Sequence, residues 1–283
     1  MQLSLGMTTG MDVGTSLRLG RAALESGYSR IFVGEDAAGE IFTRMAVLAV
    51  ELGSPPLASG VVSPFRRPLT EIATCTAGLV KLTHGRFTLG IGPGERRGPG
   101  TLEGMRRAVH LLRERLREGM ADERGTGILM GVRGRRMLSL AAEVSDGVIL
   151  SFPSGYLPTA VEHIRRSAPE RRHELHLALW LPVALDEPGR ARRVAAVIAA
   201  DTPAEYFGEL SEVAERVAGE VRRGRMAEAC RMLPEELVEE LCVTSGERLQ
   251  ELLREAKGMG IAEVILGPPF GREPEKVVRQ LGV

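Results

Sequence analysis

The sequence predicts an α/β protein folded as one closed (β/α)8 barrel, and three observations carry that expectation. Short apolar runs alternate eight times with helical patterns along the 283 residues. The runs are apolar throughout instead of alternating with polar residues, as expected for parallel strands covered by helices. Eight such units in this length fit a barrel spanning residues 1–283 as a single domain. An open doubly wound sheet of the Rossmann type is the alternative fold.

Each unit is readable in turn. Leu3 to Met7 is the first strand, followed by a helix from about Ser16 to Ser26, which Gly27 stops. Ile31 to Val33 is the second strand and Ile41 to Leu52 its helix, closed by Gly53. Leu57 to Val62 and Leu69 to Leu82 form the third unit. Phe87 to Ile91 and Leu102 to Leu116 form the fourth, its helix carrying Arg and Glu at ion-pairing spacings. Ile128 to Met130 leads into a helix from Arg135 to Val144, and Val148 to Leu150 into one from Tyr156 to Arg166. Leu175 to Leu185 is the seventh strand, followed by a long helical stretch from Arg190 to about Glu240. Ala262 to Leu266 is the eighth strand and Glu273 to Leu281 the closing helix.

Composition narrows the function classes. The formal net charge is zero, so no global field draws nucleic acid or an acidic membrane. Lys occurs only at Lys81, Lys257 and Lys276, leaving Arg as the main cation. Cys75, Cys230 and Cys242 form no metal-spaced cluster and read as small apolar residues in a reducing compartment. His173 and His176 stand at the polar start of a strand and read as solvated. No apolar run has the length of a membrane span, and Met1 to Gly10 lacks the layout of a signal peptide. The expectation is a soluble cytoplasmic protein.

In a barrel of this kind, chemistry sits in the loops after the carboxyl ends of the strands. Gly34-Glu35-Asp36 follows the second strand; taken alone, Asp36 reads as a turn residue or cap. Gly60-Val61-Val62-Ser63-Pro64 follows the third, where glycine permits a bulge or close ligand approach, and Pro68 suits the first turn of the next helix. Gly90-Ile91-Gly92-Pro93-Gly94-Glu95 is glycine-rich but lacks the dinucleotide-binding spacing. Gly131-Val132-Arg133-Gly134-Arg135-Arg136 opens a helix. Free N–H groups, the helix dipole and guanidinium groups together suit an anion there, in the manner of a phosphate. Ser145-Asp146-Gly147 precedes a strand and belongs to the structural end.

Together these segments resemble the bacterial luciferase-like class. Gly60 to Phe65, Leu79 to His84 and Gly85-Arg86-Phe87-Thr88-Leu89-Gly90-Ile91-Gly92-Pro93-Gly94 carry the specific part. Within that class they resemble the coenzyme F420-dependent methylenetetrahydromethanopterin reductases of archaea. Met130 to Gly134, Ala142 to Ile149, Glu235 to Leu241, Gly258 to Ile261 and Gly267-Pro268-Pro269 extend the likeness over nearly the whole chain.

The resemblance implies a non-proline cis peptide at Gly60-Val61 backing a deazaflavin ring, with Val62 and Ser63 completing the bulge. It implies that Gly92, Pro93, Gly94 and Glu95 line the cofactor and that Gly131, Val132, Arg133, Gly134 and Arg135 receive its phosphate. Asp36 stands where the family commonly has a cofactor-contacting histidine. The implied reaction is hydride transfer between the reduced deazaflavin and a pterin-bound methylene group; the cofactor carries the chemistry and the protein orients it. Three departures mark this chain: Thr8 replaces a first-strand carboxylate, Glu35-Asp36 replaces an Asp-His pair, and the insertion around strand four, between Gly94 and Gly127, is shortened. Thr8, Glu35 and Asp36 are therefore the candidate catalytic residues. Family members usually dimerise through the early helices, so Ile41 to Val50 and Ile72 to Val80 are the expected contact of a homodimer or higher homo-oligomer. F420 is the expected cofactor, with FMN in a luciferase-like monooxygenase as the alternative; a non-catalytic barrel is the third reading.

Overall fold

The computed structural model describes residues 1–36, 39–119, 126–171 and 173–282. Residues 120–125, within the Gly94–Gly127 segment, lie outside the described residues. The first half of the chain runs β1 (Gln2–Thr8), α1 (Val13–Glu25), β2 (Ile31–Gly34), α2 (Ile41–Glu51), β3 (Leu57–Ser59), α3 (Leu69–Leu82), β4 (Phe87–Ile91) and α4 (Thr101–Gly119). It continues through β5 (Ile128–Val132), α5 (Arg135–Val144), β6 (Gly147–Leu150), α6 (Leu157–Ser167) and β7 (His176–Ala184). Then come α7 (Pro188–Asp201), α8 (Ser211–Arg222), α9 (Met226–Met232), α10 (Glu235–Leu241), α11 (Gly246–Gly258), β8 (Glu263–Phe270) and α12 (Pro274–Leu281). All eight strands are parallel, and β8 closes on β1. The closed barrel is therefore the fold, and the open-sheet alternative is set aside.

Strand parity divides the packing. Leu3, Leu5 and Met7 of β1 point outward into an apolar layer shared with the helices, as do Val62 and Val132. Phe32, Ala58, Leu129, Ile149, Ala178 and Ile265 point inward and fill the barrel, with Val61 and Trp180 at the margin of that plug. Apolar burial on both sides explains why the strands read as continuous apolar runs. A separate apolar cluster joins α7, α8, α9 and α10 through Ala195, Phe207, Val217, Ala229 and Leu237. The expected long helical stretch is thus several helices with a small core of their own.

Among the elements that differ from expectation are β8, which runs to Phe270 instead of ending at Leu266, β3 and α11. β3 ends at Ser59 and not at Val62: the Gly60–Val61 peptide is cis, and pairing resumes only as an isolated Val62–Ile91 bridge. The helix α11 is an addition to the expected elements; Ser245 caps its start, with the side chain accepting from the Arg248 N–H.

The amino ends of the strands carry a buried polar cluster. The Glu263 side chain has no exposed surface; it accepts from Ser4 Oγ at 2.5 Å and lies 2.7 Å from His176 Nε2. Arg30 Nη1 stands 3.9 Å from the same carboxylate. Burial pushes the Glu263 carboxyl up, but His176, Arg30 and Ser4 outweigh it and hold its pKa below the ordinary value. This corrects the reading of His176 as solvated: the partner that holds it is 87 residues away in sequence.

Candidate functional site at the carboxyl ends of the strands

At the opposite end of the barrel the inward positions are mostly glycine. Gly6, Gly34, Gly60, Gly92, Gly131 and Gly267 leave a mouth in which two side chains take the space. Val61 is wedged between β4 and β5: an added Cβ would stand 2.6 Å from its Cγ2 at Gly92 and 2.7 Å from its Cγ1 at Gly131. Trp180 of β7 lies against Gly6, Gly60 and Gly267, where an added Cβ would approach the indole to 2.7, 3.3 and 2.5 Å respectively. Real Cβ atoms essentially never come within 3.0 Å of another group, so most of these glycines are dictated by packing.

The loops around the mouth are tied to one another. The Ser63 N–H donates to Glu35 Oε2 at 3.4 Å, and Ser63 Oγ donates to the Pro93 carbonyl at 3.3 Å. Gly94 takes φ +60, and a Cβ there would meet Ser63 Oγ at 3.1 Å. The Gly92 N–H donates to the Val62 carbonyl at 3.0 Å. Arg97 Nη1 reaches back to the Gly94 carbonyl at 2.6 Å, while Glu95 is exposed.

The three candidate catalytic residues have different surroundings. Thr8 closes β1 in register with Gly34, and its hydroxyl has no hydrogen-bond partner among the described residues. Glu35 is only 3% exposed and is paired with Arg67, itself 13% exposed; Arg66 stands 3.9 Å away. Arg67 also pairs with Glu40 at 2.9 Å and lies over the Phe42 ring at 5.3 Å. Glu35 therefore joins β2 to the loop before α3. The Asp36 carboxylate accepts from Thr9 Oγ1 at 2.9 Å and from the Gly10 N–H at 2.6 Å, so it holds the loop after β1.

On the far side lies the segment expected to receive an anion, Gly131 to Arg135. The first N–H groups of α5 have no intrahelical acceptor, and Gly134 before them takes φ +150. Arg133 is partly buried beside Asp201 at 3.4 Å. Burial lowers its pKa; Asp201 opposes that shift, and the nearby Arg97 adds to it. Two guanidinium groups and a helix N-terminus in one place favour an anion, with Asp201 as a competing partner. Arg135 Nε donates to Tyr156 OH at 3.2 Å, and the Tyr156 ring stacks on Tyr206 at 4.0 Å. Arg136 turns away into an outer groove of about 970 Å³ between α4 and α5.

The structure thus brings Thr8, Gly60, Val61, Ser63, Gly92, Pro93, Gly94, Gly131 and Arg133 to the barrel mouth. Val62 and Val132 place their side chains in the outer core and offer only backbone. The sequence reading missed Trp180, Arg97 and Tyr156. Trp180 had a signal: it alternates inward with Ala178 and Pro182 in the longest apolar run, and it is the chain's one tryptophan.

Residues 2–121 match the family described as luciferase-like monooxygenase. That match covers less than half of the chain, and with the closed barrel it shows a fold similar to a luciferase-like barrel. The particular resemblance is to methylenetetrahydromethanopterin reductases. The chain is 24% identical over 289 residues to the 5,10-methylenetetrahydromethanopterin reductase of Methanolobus tindarius, covering 86% of each chain. A 25% identity relates it to the enzyme of that name from Archaeoglobus fulgidus, over 86% of this chain and 85% of the other. The solved structure of coenzyme F420-dependent tetrahydromethanopterin reductase from Methanopyrus kandleri superposes with a TM-score of 0.84 at 20% identity, covering 99% of this chain and 97% of that one. Among the described residues no helix is long and apolar enough to cross a membrane.

Proposed function

We propose that this chain is an F420-dependent oxidoreductase that moves a hydride between a deazaflavin and a small organic substrate of the pterin type. The observation that carries the reading is the pairing of a glycine-lined mouth beside Gly60 and Val61 with a cationic helix N-terminus at Gly131–Arg135. A ligand with a flat ring and a phosphate satisfies both at once. When bound, the deazaflavin supplies the hydride.

The residues present fit such a group. The Gly60–Val61 backbone and the Val61 side chain seat the ring, and Ser63, Pro93 and Gly94 fix the neighbouring loops. The α5 N-terminus, Arg133 and Arg97 hold the phosphate. Thr8 offers a hydroxyl to the substrate side, while Glu35 and Asp36 act by holding backbone in place. Self-association through α2 and α3 belongs to the same proposal; Val50 on α2 is 65% exposed.

Two measurements bear on this. Oxidation of reduced F420 by methylenetetrahydromethanopterin, followed through the deazaflavin absorbance, is expected to depend on the protein. No turnover with that substrate, with F420 still bound, would remove the pterin assignment and keep the cofactor. Replacing Arg133 by Met is expected to weaken F420 binding about tenfold, the lower end for losing a charge-assisted hydrogen bond. Calorimetric titration reads that change, and an unaltered affinity would place the phosphate elsewhere.

A further inference from the structure

Three glycines on different parts of the barrel make room for one side chain. An added Cβ would meet the Trp180 indole at Cη2 from Gly6, at Cζ3 from Gly60 and at Nε1 from Gly267. The indole therefore reaches from β7 past β8 and β1 toward the loop after β3, across the barrel axis. A core that needed only filling would take a Leu or Phe and keep its Cβ atoms on the facing strands.

Trp180 also differs from the plug beneath it. Phe32, Ala58, Leu129, Ile149, Ala178 and Ile265 are at most 5% exposed, whereas Trp180 is only partly buried. Its indole N–H has no acceptor among the described residues and is not among the sealed, unpartnered atoms, so it opens to solvent. An indole packed purely as core usually finds an acceptor for that N–H. The ring thus sets its apolar Cζ3 edge beside Gly60 and carries one free donor at the Nε1 edge beside Gly267.

We propose that Trp180 is a specificity-determining residue of the mouth. Its indole forms the inner wall beside the Gly60–Val61 peptide, and its N–H donates to an acceptor atom of the planar heteroaromatic ligand that lies there. The inference rests on the reading that the mouth binds such a ring. It adds what limits the depth of the site and what polar edge the ligand must present.

The chain has one tryptophan, so its fluorescence reports on this position without any substitution. Acrylamide quenches by contact, and lifetimes convert the quenching into a bimolecular constant that is free of energy transfer to the ligand. Ligand-free protein is expected to be readily quenched, and saturation with F420 is expected to lower the constant several-fold. Trp180→Phe, which keeps an aromatic ring and loses the donor, is expected to weaken F420 binding about tenfold, as for one neutral hydrogen bond.

An unquenchable tryptophan in the ligand-free protein would overturn the proposal, because the ring would then be sealed core. Binding of F420 with an unchanged quenching constant and an unchanged affinity in Trp180→Phe would overturn it while leaving the cofactor assignment standing. If neither F420 nor FMN binds the wild-type chain, the cofactor reading falls and this inference falls with it.

Discussion

Replacing Glu263 by glutamine is expected to destabilise the barrel by about 3 kcal/mol at neutral pH, the lower end for breaking a buried ion pair from one side. The carboxylate has no exposed surface and is shared by Ser4, His176 and Arg30, which come from three other strand ends. Glutamine keeps the shape but leaves Arg30 without its counter-charge. Urea unfolding of the two proteins measures the difference as a shift in midpoint at constant slope.

The pH dependence of that difference has a definite sign. Glu263 has a folded pKa below its ordinary 4.5, so its contribution is complete above the unfolded value. It is lost as pH falls through 4.5 toward the depressed folded value. The gap between wild type and Glu263→Gln is therefore expected to be widest near neutrality and to narrow in acid. A gap that stays constant with pH would mean that the buried charge is not its source.

The largest functional effect is expected at Gly131. A Cβ there stands 2.7 Å from Val61 Cγ1, and Val61 has no room to retreat because the Gly92 position is just as close, at 2.6 Å. Gly131→Val therefore drives Val61 up into the mouth, where the ring would lie. Overpacking of this kind costs about 1–3 kcal/mol, so F420 affinity is expected to fall about 100-fold. The barrel should still form, since Gly131 is near the carboxyl end of β5 and its outward neighbours are untouched. Gly189→Ala, where an added Cβ meets nothing within 4 Å, should bind as wild type does. Equal affinities for all three proteins would show that no ring lies against Val61.

Elements defined by local periodicity were legible in the sequence. The ranges Leu69–Leu82, Phe87–Ile91 and Arg135–Val144 agree with α3, β4 and α5 residue for residue. The end of β3 was not legible from hydropathy, because Val61 and Val62 continue the apolar run while the chain turns at Gly60. For α11 the pattern was present in Leu249, Leu252, Leu253 and Ala256, four positions on one face, but frequent Arg and Glu obscured it.

The site was legible as a set of backbone positions and less so as side chains. Glycines at strand ends flagged Gly60, Gly92 and Gly131, and all three border the mouth. The environments of Glu35 and His176 could not be read locally. Their partners, Arg67 and Glu263, are 32 and 87 residues away and meet them only when the barrel closes. Trp180 was overlooked for the same reason: the glycines that admit it lie on β1, after β3 and on β8.

Cofactor binding is the decisive property, measured by titrating the purified chain with F420 and, separately, with FMN at fixed salt. FMN also presents a flat ring and a phosphate, so it tests whether the mouth distinguishes the two. Saturable F420 binding with weak FMN binding is the predicted result. Preference for FMN would contradict the deazaflavin assignment and favour the monooxygenase reading, and binding of neither would contradict the claim that this mouth is a cofactor site.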